Sequence, residues 1–187
     1  MIFTDESRIE ISRVCRRSFA KDGEPVACNP KPKNPFSFMV WGGISKKGPT
    51  PLVIFNGIMD SEFYQQAILK DSLMPFINRE YPDSHRLFQD NDPKHTSKST
   101  AKFMEENGIV WWKSPAESPD INPIENLWAE MKRYISSVVK PMVKQDLEDG
   151  LHQFWSALTP EKCSRYINHI HKVMPKVLEC EGGPTGF

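Results

Sequence analysis

The sequence predicts an α/β protein built on a mixed β-sheet flanked by helices. Up to about residue 57, short apolar runs are separated by turn-forming residues, the pattern of an antiparallel meander. From Ser61 onward, helical periodicities alternate with two short β-favouring runs, HRLFQD and IVWW. The order meander, helix, strand, helix, strand, helices sets parallel strands beside antiparallel ones and leaves helices to cover the sheet.

MIFT, residues 1–4, is apolar and β-favouring, and Asp5-Glu6-Ser7 is expected to end it. RIEISRVCRRSF alternates roughly polar with apolar, Lys21-Asp22-Gly23 marks a turn, and CNPKPKNP is a proline-rich connection. FSFMVWGGIS and PLVIFNG are strong strand runs joined by the KKGPT turn. Ser61 fits the N-cap of SEFYQQAILKDSLMPFINRE, in which Phe63, Ala67, Leu69, Leu73, Phe76 and Ile77 share a helical face. HRLFQD is a strand, a helix starting near Thr96 or Ser97 stops at Gly108, and IVWW is another strand. After the turn-rich KSPAESPD, a long amphipathic helix from about Pro123 turns Ile124, Leu127, Trp128, Met131, Ile135 and Val138 to one core. Helical segments at 144–158 and 160–173 follow. One domain is expected over residues 1–178, with 179–187 a disordered tail.

A chain of 187 residues can bury a core without disulfides or metals to hold it. Cys15, Cys28, Cys163 and Cys180 are scattered, which excludes a zinc-ligand spacing and a disulfide framework and fits a reducing compartment. The apolar runs are too short to span a membrane, and MIFTDESRIE lacks the layout of a signal peptide. With 24 basic and 24 acidic residues, net charge makes no case for nucleic acid. Locally, Arg8, Arg13, Arg16, Arg17, Lys21, Lys31 and Lys33 outnumber Glu10, Asp22 and Glu24, and read either as a phosphate-facing stripe or as a solvated hairpin.

Three carboxylates sit at structural punctuation. Asp5 ends the first strand, Asp90 ends HRLFQD, and Glu125 opens the long helix. If the two strands are neighbours, their ends bring Asp5 and Asp90 together, and a helix packed over that edge adds Glu125. Oxygen donors of this kind suit Mg²⁺ or Mn²⁺. Each residue also has a plainer reading. Strand-terminal aspartates form Asx turns, and Asn122-Pro123-Ile124-Glu125 fits N-cap, N1 and N3 of a capping box. His95 reads as a loop or helix-entry residue, and Trp41, Trp111 and Trp112 as core.

FTDES, MVWGGIS, FQDNDPKHTS and SPDINPIENLWAEMK, in that order, resemble the catalytic domain of the mariner superfamily of DNA transposases. These are Asp-Asp-Glu endonucleases of ribonuclease H-like fold. The resemblance covers residues 1 to about 140, and 34 residues separate Asp90 from Glu125, the interval of one major branch of that superfamily.

The resemblance implies that Asp5, Asp90 and Glu125 are the catalytic triad and hold two Mg²⁺ or Mn²⁺ ions. Asp90 is preferred to Asp92 because it directly follows the apolar strand and precedes Asn91. Implied contacts to DNA fall to Arg16, Arg17, Asn91, Lys94, His95, Lys113 and Lys132, with no chemical role for His95. The implied reaction is hydrolysis of a DNA phosphodiester, then attack of the freed 3′-hydroxyl on target DNA. Implied partners are transposon ends, target DNA and a second copy of the chain, with no membrane, in the nucleus of a eukaryotic host. With only MIFT ahead of Asp5, the sequence is expected to lack the paired helix-turn-helix region usual in the family and to recognise transposon ends weakly. Two rival readings are an inactive or domesticated DNA- or protein-binding module and a nuclease acting on RNA/DNA hybrids.

Overall fold

A computed structural model describes residues 1–10, 36–113 and 121–179. Arg16, Arg17, the turn at Lys21-Asp22-Gly23, residues 114–120 of the KSPAESPD turn and the tail from Cys180 lie outside the described residues.

The six strands are β1 (Ile2–Glu10), β2 (Ser37–Ser45), β3 (Gly48–Pro49), β4 (Val53–Phe55), β5 (Leu87–Gln89) and β6 (Trp111–Lys113). They form one sheet in the order β3-β2-β1-β5-β6, with β4 also paired to β2. β1 is antiparallel to β2 and parallel to β5, which is parallel to β6, so the expected mixture of a meander and parallel strands is observed.

β1 does not stop at Asp5. Its pairing with β2 runs on from Asp5↔Gly42 to Glu10↔Ser37, because a long partner strand supplies hydrogen bonds through the acidic segment. Asp5 therefore lies within a strand, paired to Gly42 of β2.

Two apolar layers sandwich the sheet. A helical run over residues 61–80 comprises α1 (Ser61–Phe63), a π-helical stretch (Tyr64–Leu73) and α2 (Met74–Glu80). With α4 (Lys98–Glu106), which follows the single turn α3 (Pro93–Thr96), it buries Tyr64, Ile68, Leu69, Leu73, Phe76 and Met104 against Ile2, Trp41 and Leu87. The other face is covered by α5 (Ile124–Tyr134) with its π-helical extension Ile135–Val139, α6 (Lys144–Ser156) and α7 (Pro160–Asn168). α8 (Ile170–Glu179) follows, so three helices rather than two complete the described chain. Phe3 and Ile9 face this second layer while Ile2 faces the first, as strand alternation requires.

Several local expectations are corrected. Asp60, one residue before Ser61, caps α1 by accepting from the Phe63 N–H at 2.8 Å. The capping box at Asn122 does not form: α5 has no side-chain cap, and the Asn122 amide donates instead to the Thr4 carbonyl of β1. Val138 is exposed because the helix has changed register by that point, whereas Ile124, Leu127, Trp128, Met131 and Ile135 are buried. Trp112 is half-exposed on the sheet's outer described strand, with the Arg86 guanidinium 4.6 Å from its ring centroid. Among the described residues, no helix is long and apolar enough to cross a membrane.

Candidate active site

The register of the two parallel strands pairs Phe3 with Phe88, whose rings lie 5.4 Å apart. Two residues further along each chain come Asp5 and Asp90. Asp5 is still within β1, whereas Asp90 is the first residue past β5, and α5 begins close by and presents Glu125, exposed in its first turn.

Hydrogen bonds stitch these three elements together. Asn122, just before α5, donates its Nδ2 to the Thr4 carbonyl at 3.2 Å, and Thr4 Oγ1 donates to the Phe88 carbonyl at 3.2 Å. The link crosses from α5 through β1 to β5, the elements bearing or preceding the three carboxylates. Three residues after Glu125, Trp128 donates its indole N–H to Asp5 Oδ2 at 3.1 Å.

Asp5 carries the site's electrostatic cost. Burial, then the charges of Glu125, Glu6 and Asp90, push its carboxyl up from 3.8 to about 8. A buried acid raised further by three neighbouring carboxylates marks a locus of uncompensated negative charge.

Asp90 differs because it has partners. His95 Nδ1 lies 2.6 Å from its Oδ1, and the backbone N–H of Asp92 donates to the same oxygen at 3.1 Å. The His95 hydrogen bond leads the effects that lower the Asp90 carboxyl below its usual range, against the opposing effect of burial. The other His95 nitrogen, Nε2, lies 3.0 Å from Glu6 Oε1. Burial alone would lower the His95 pKa, but the bonds to Asp90 and Glu6 outweigh it and raise it to about 9. Tyr64 packs on the ring with centroids 4.4 Å apart.

These contacts alter the assignments to DNA. His95 is 2% exposed with both ring nitrogens engaged by carboxylates, so it has no atom to offer a nucleic acid. Lys94 is paired to Asp92 at 2.7 Å and to Glu6 at 3.6 Å, and so balances the site's own charge. Asn91 is half-buried in the loop, whereas Lys132 is exposed on α5. Lys113 ends β6, and its side chain is outside the described residues. Asp92 accepts from the Lys94 N–H and caps α3, a loop-building role.

Glu6 and Trp128 are the residues that sequence reasoning missed. Strand alternation was a signal for Glu6, since it sets that carboxylate on the sheet face opposite Asp5. Helical spacing was the signal for Trp128, one turn beyond Glu125.

The donor set at this end of the sheet, carboxylate oxygens without thiolate, fits a hard divalent cation, and the raised Asp5 carboxyl is the charge such an ion would relieve. As arranged, the groups do not close around one point. Among the described residues, no three His, Cys, Asp or Glu side chains are gathered tightly enough to hold an ion. Asp90 is drawn to His95 and Asp5 to Trp128, and mutual repulsion opposes closer approach.

A family model described as the DDE superfamily endonuclease matches residues 1–148. The chain belongs to that superfamily. Within it, the resemblance is to the Tc1/mariner transposases. This endonuclease domain is 29% identical over 199 residues to the Tcb2 transposase of Caenorhabditis briggsae, covering 100% of this chain and 70% of that protein. It is 30% identical over 151 residues to the Tcb1 transposase of the same organism, covering 81% of the chain and 55% of that protein. Among solved structures, it superposes on the Mos1 mariner paired-end complex with Mn at a TM-score of 0.83 and 19% identity, over 98% of this chain and 56% of that one. On the Mos1 transposase catalytic domain with Raltegravir and Mg, the TM-score is 0.73 at 19% identity, over 98% and 84% of the two chains. The structural matches establish the ribonuclease H-like fold of the domain. The chain spans between 55% and 70% of the length of the curated relatives it matches.

Proposed function

We propose that this domain cleaves DNA strands and joins the freed 3′ ends to target DNA, as the catalytic part of a cut-and-paste transposase. The observation that carries the reading is the parallel register of β1 and β5, which sets Asp5 in one strand and Asp90 just past the end of its neighbour, near the helix start bearing Glu125. Asp5, Asp90 and Glu125 are the ligands in this reading. Two Mg²⁺ or Mn²⁺ ions bound there would polarise the attacking oxygen and stabilise the leaving oxygen of an in-line displacement.

The chain's own residues supply the rest. Trp128 holds the Asp5 carboxylate from the α5 side through its Oδ2. The N-terminus of α5 holds Glu125 at the rim, where the scissile phosphate would enter. Lys132, two turns along the same helix face, is the exposed cation placed to meet a phosphate further along the strand. DNA is the proposed substrate, with a second copy of the chain as partner and a nuclear site of action in a eukaryotic host. The Mos1 transposase paired-end complex with left transposon end, among the structural neighbours, supports the first.

The test is Mn²⁺-supported nicking of supercoiled plasmid by the chain and by its Asp90→Asn variant. Nicking by the parent alone is expected. Equal nicking by both would remove Asp90 from the chemistry, and digestion of RNA/DNA hybrid without DNA nicking would redirect the reading to a hybrid nuclease.

A further inference from the structure

We infer that Glu6 and His95 form a positioning pair for Asp90: clamped by Glu6 from behind, His95 holds Oδ1 of Asp90 and turns Oδ2 toward the space shared with Asp5. The inference rests on the reading of Asp90 as a cation ligand.

Three observations support it. His95 and Glu6 are almost wholly buried, at 2% and 9% side-chain exposure, yet Asp90 at the end of the chain of contacts is 55% exposed. Buried polar groups therefore reach outward to a single accessible carboxylate. Both hydrogen bonds that Asp90 receives from described residues, from His95 and from the Asp92 backbone, end on Oδ1. The second oxygen is left to an external partner. Finally, the ring of His95 is confined: Tyr64 packs against it at a tilt of 45°, the Tyr64 hydroxyl is hydrogen-bonded to the Gln89 side chain, and Glu6 engages the far nitrogen.

By engaging the far ring nitrogen, Glu6 orients the His95 ring toward Asp90, much as an outer carboxylate orients a metal-site histidine. The difference is that here the oriented ligand is itself a carboxylate. A stabilising role for the loop alone would not require one oxygen of Asp90 to be spared. Lys94, ion-paired to both Glu6 and Asp92, ties the loop to the same Glu6 carboxylate.

Charge and position are separable by experiment. Glu6→Gln removes a negative charge, whereas His95→Gln removes the imidazolium. If each acted only through its charge, Mn²⁺ affinity would fall in the first and rise in the second. A positioning pair requires that both weaken Mn²⁺ binding, each about tenfold or more by analogy with other outer-shell contacts. The measurement is calorimetric titration of the full chain with Mn²⁺ alone, on variants whose circular dichroism and melting show a folded protein. Should either variant unfold, Glu6→Asp, which keeps the charge but withdraws it by one methylene, is expected to weaken binding too. Affinities within twofold of the parent, or shifts of opposite sign, would overturn the pair. Asp90→Asn in the same series keeps the two questions apart. If it binds Mn²⁺ like the parent, the ligand assignment fails; if it alone loses binding, only the positioning pair fails.

Discussion

The indole N–H of Trp128 donates to Oδ2 of Asp5 at 3.1 Å, tying the interior of β1 to the helix that carries Glu125. Trp128 is buried and stacked on Trp155, with ring centroids 5.5 Å apart and planes inclined by 22°. The donor is therefore fixed in place before any ligand arrives. Trp128→Phe would keep most of the ring packing and lose the hydrogen bond. Nicking is expected to fall about tenfold, the kinetic equivalent of about 1.4 kcal/mol, with a smaller effect on melting. Parallel losses in both would assign Trp128 to packing alone.

Gly42 makes room for that tryptophan pair. It lies opposite Asp5 in the β1–β2 register, and a Cβ added to it would fall 2.5 Å from Trp155 Cη2 and 3.2 Å from Trp128 Cη2. Neither ring can retreat within the packed layer. Gly42→Ala is expected to cost about 1–3 kcal/mol, lowering the melting temperature by about 2–4 °C per kcal/mol in a domain of this size. An unchanged melting temperature would show that the rings can shift, and with them the donor to Asp5.

Stability of the metal-free chain should fall as pH rises from 6.5 to 9. His95 is raised from 6.5 to about 9, so the folded state holds a proton that the unfolded chain releases; that stabilisation is complete below 6.5 and lost through about 9. Asp5, raised from 3.8 to about 8, also binds its proton more tightly when folded, so its ionisation costs progressively more up to about 8. Asp90 is lowered and acts in the acid range, its contribution disappearing as pH falls through its depressed value. Thermal melts in chelator across this window provide the measurement. A flat or rising profile would contradict the environments assigned to His95 and Asp5.

The sequence made the sheet legible because its strands carry strong apolar runs, and it made Asp5 and Asp90 legible because both follow such runs. What it concealed was long-range. Glu6 acquires its meaning from His95, 89 positions away, and Asn122 from a carbonyl 118 positions away. Local capping chemistry predicted a different partner for Asn122, and tertiary contact overrode it. β1 was read as too short because Asp5 and Glu6 look like a strand exit until a nine-residue partner strand is laid beside them. Trp112 was read as core because composition cannot tell an outer strand from a central one.

Cys163 should resist modification in the folded chain. Its side chain is buried at 0% exposure in the layer formed with α5 and α6, and burial pushes its thiol up from 9.0 to about 11. Peptide mapping after brief iodoacetamide treatment at pH 8 is expected to show Cys163 unlabelled, with labelling only after denaturant. Rapid native labelling would mean that α7 opens readily from the sheet.

Asn122 joins α5 to β1 at the level of the carboxylates. It is 8% exposed, its Nδ2 donates to the Thr4 carbonyl, and its Oδ1 has no hydrogen-bond partner among the described residues. Asn122→Ala removes the link and should cost about 1–2 kcal/mol in stability. Asn122→Asp should be worse, since an ionised carboxylate cannot donate to that carbonyl and adds a negative charge near Asp5. Because the link sets the start of α5 against β1, nicking should fall further than the lost stability explains when assayed well below the melting temperature. If Asn122→Ala melts lower but nicks at the parent's rate, the packing of Ile124, Leu127 and Trp128 is sufficient to place Glu125, and the hydrogen bond only stabilises the fold.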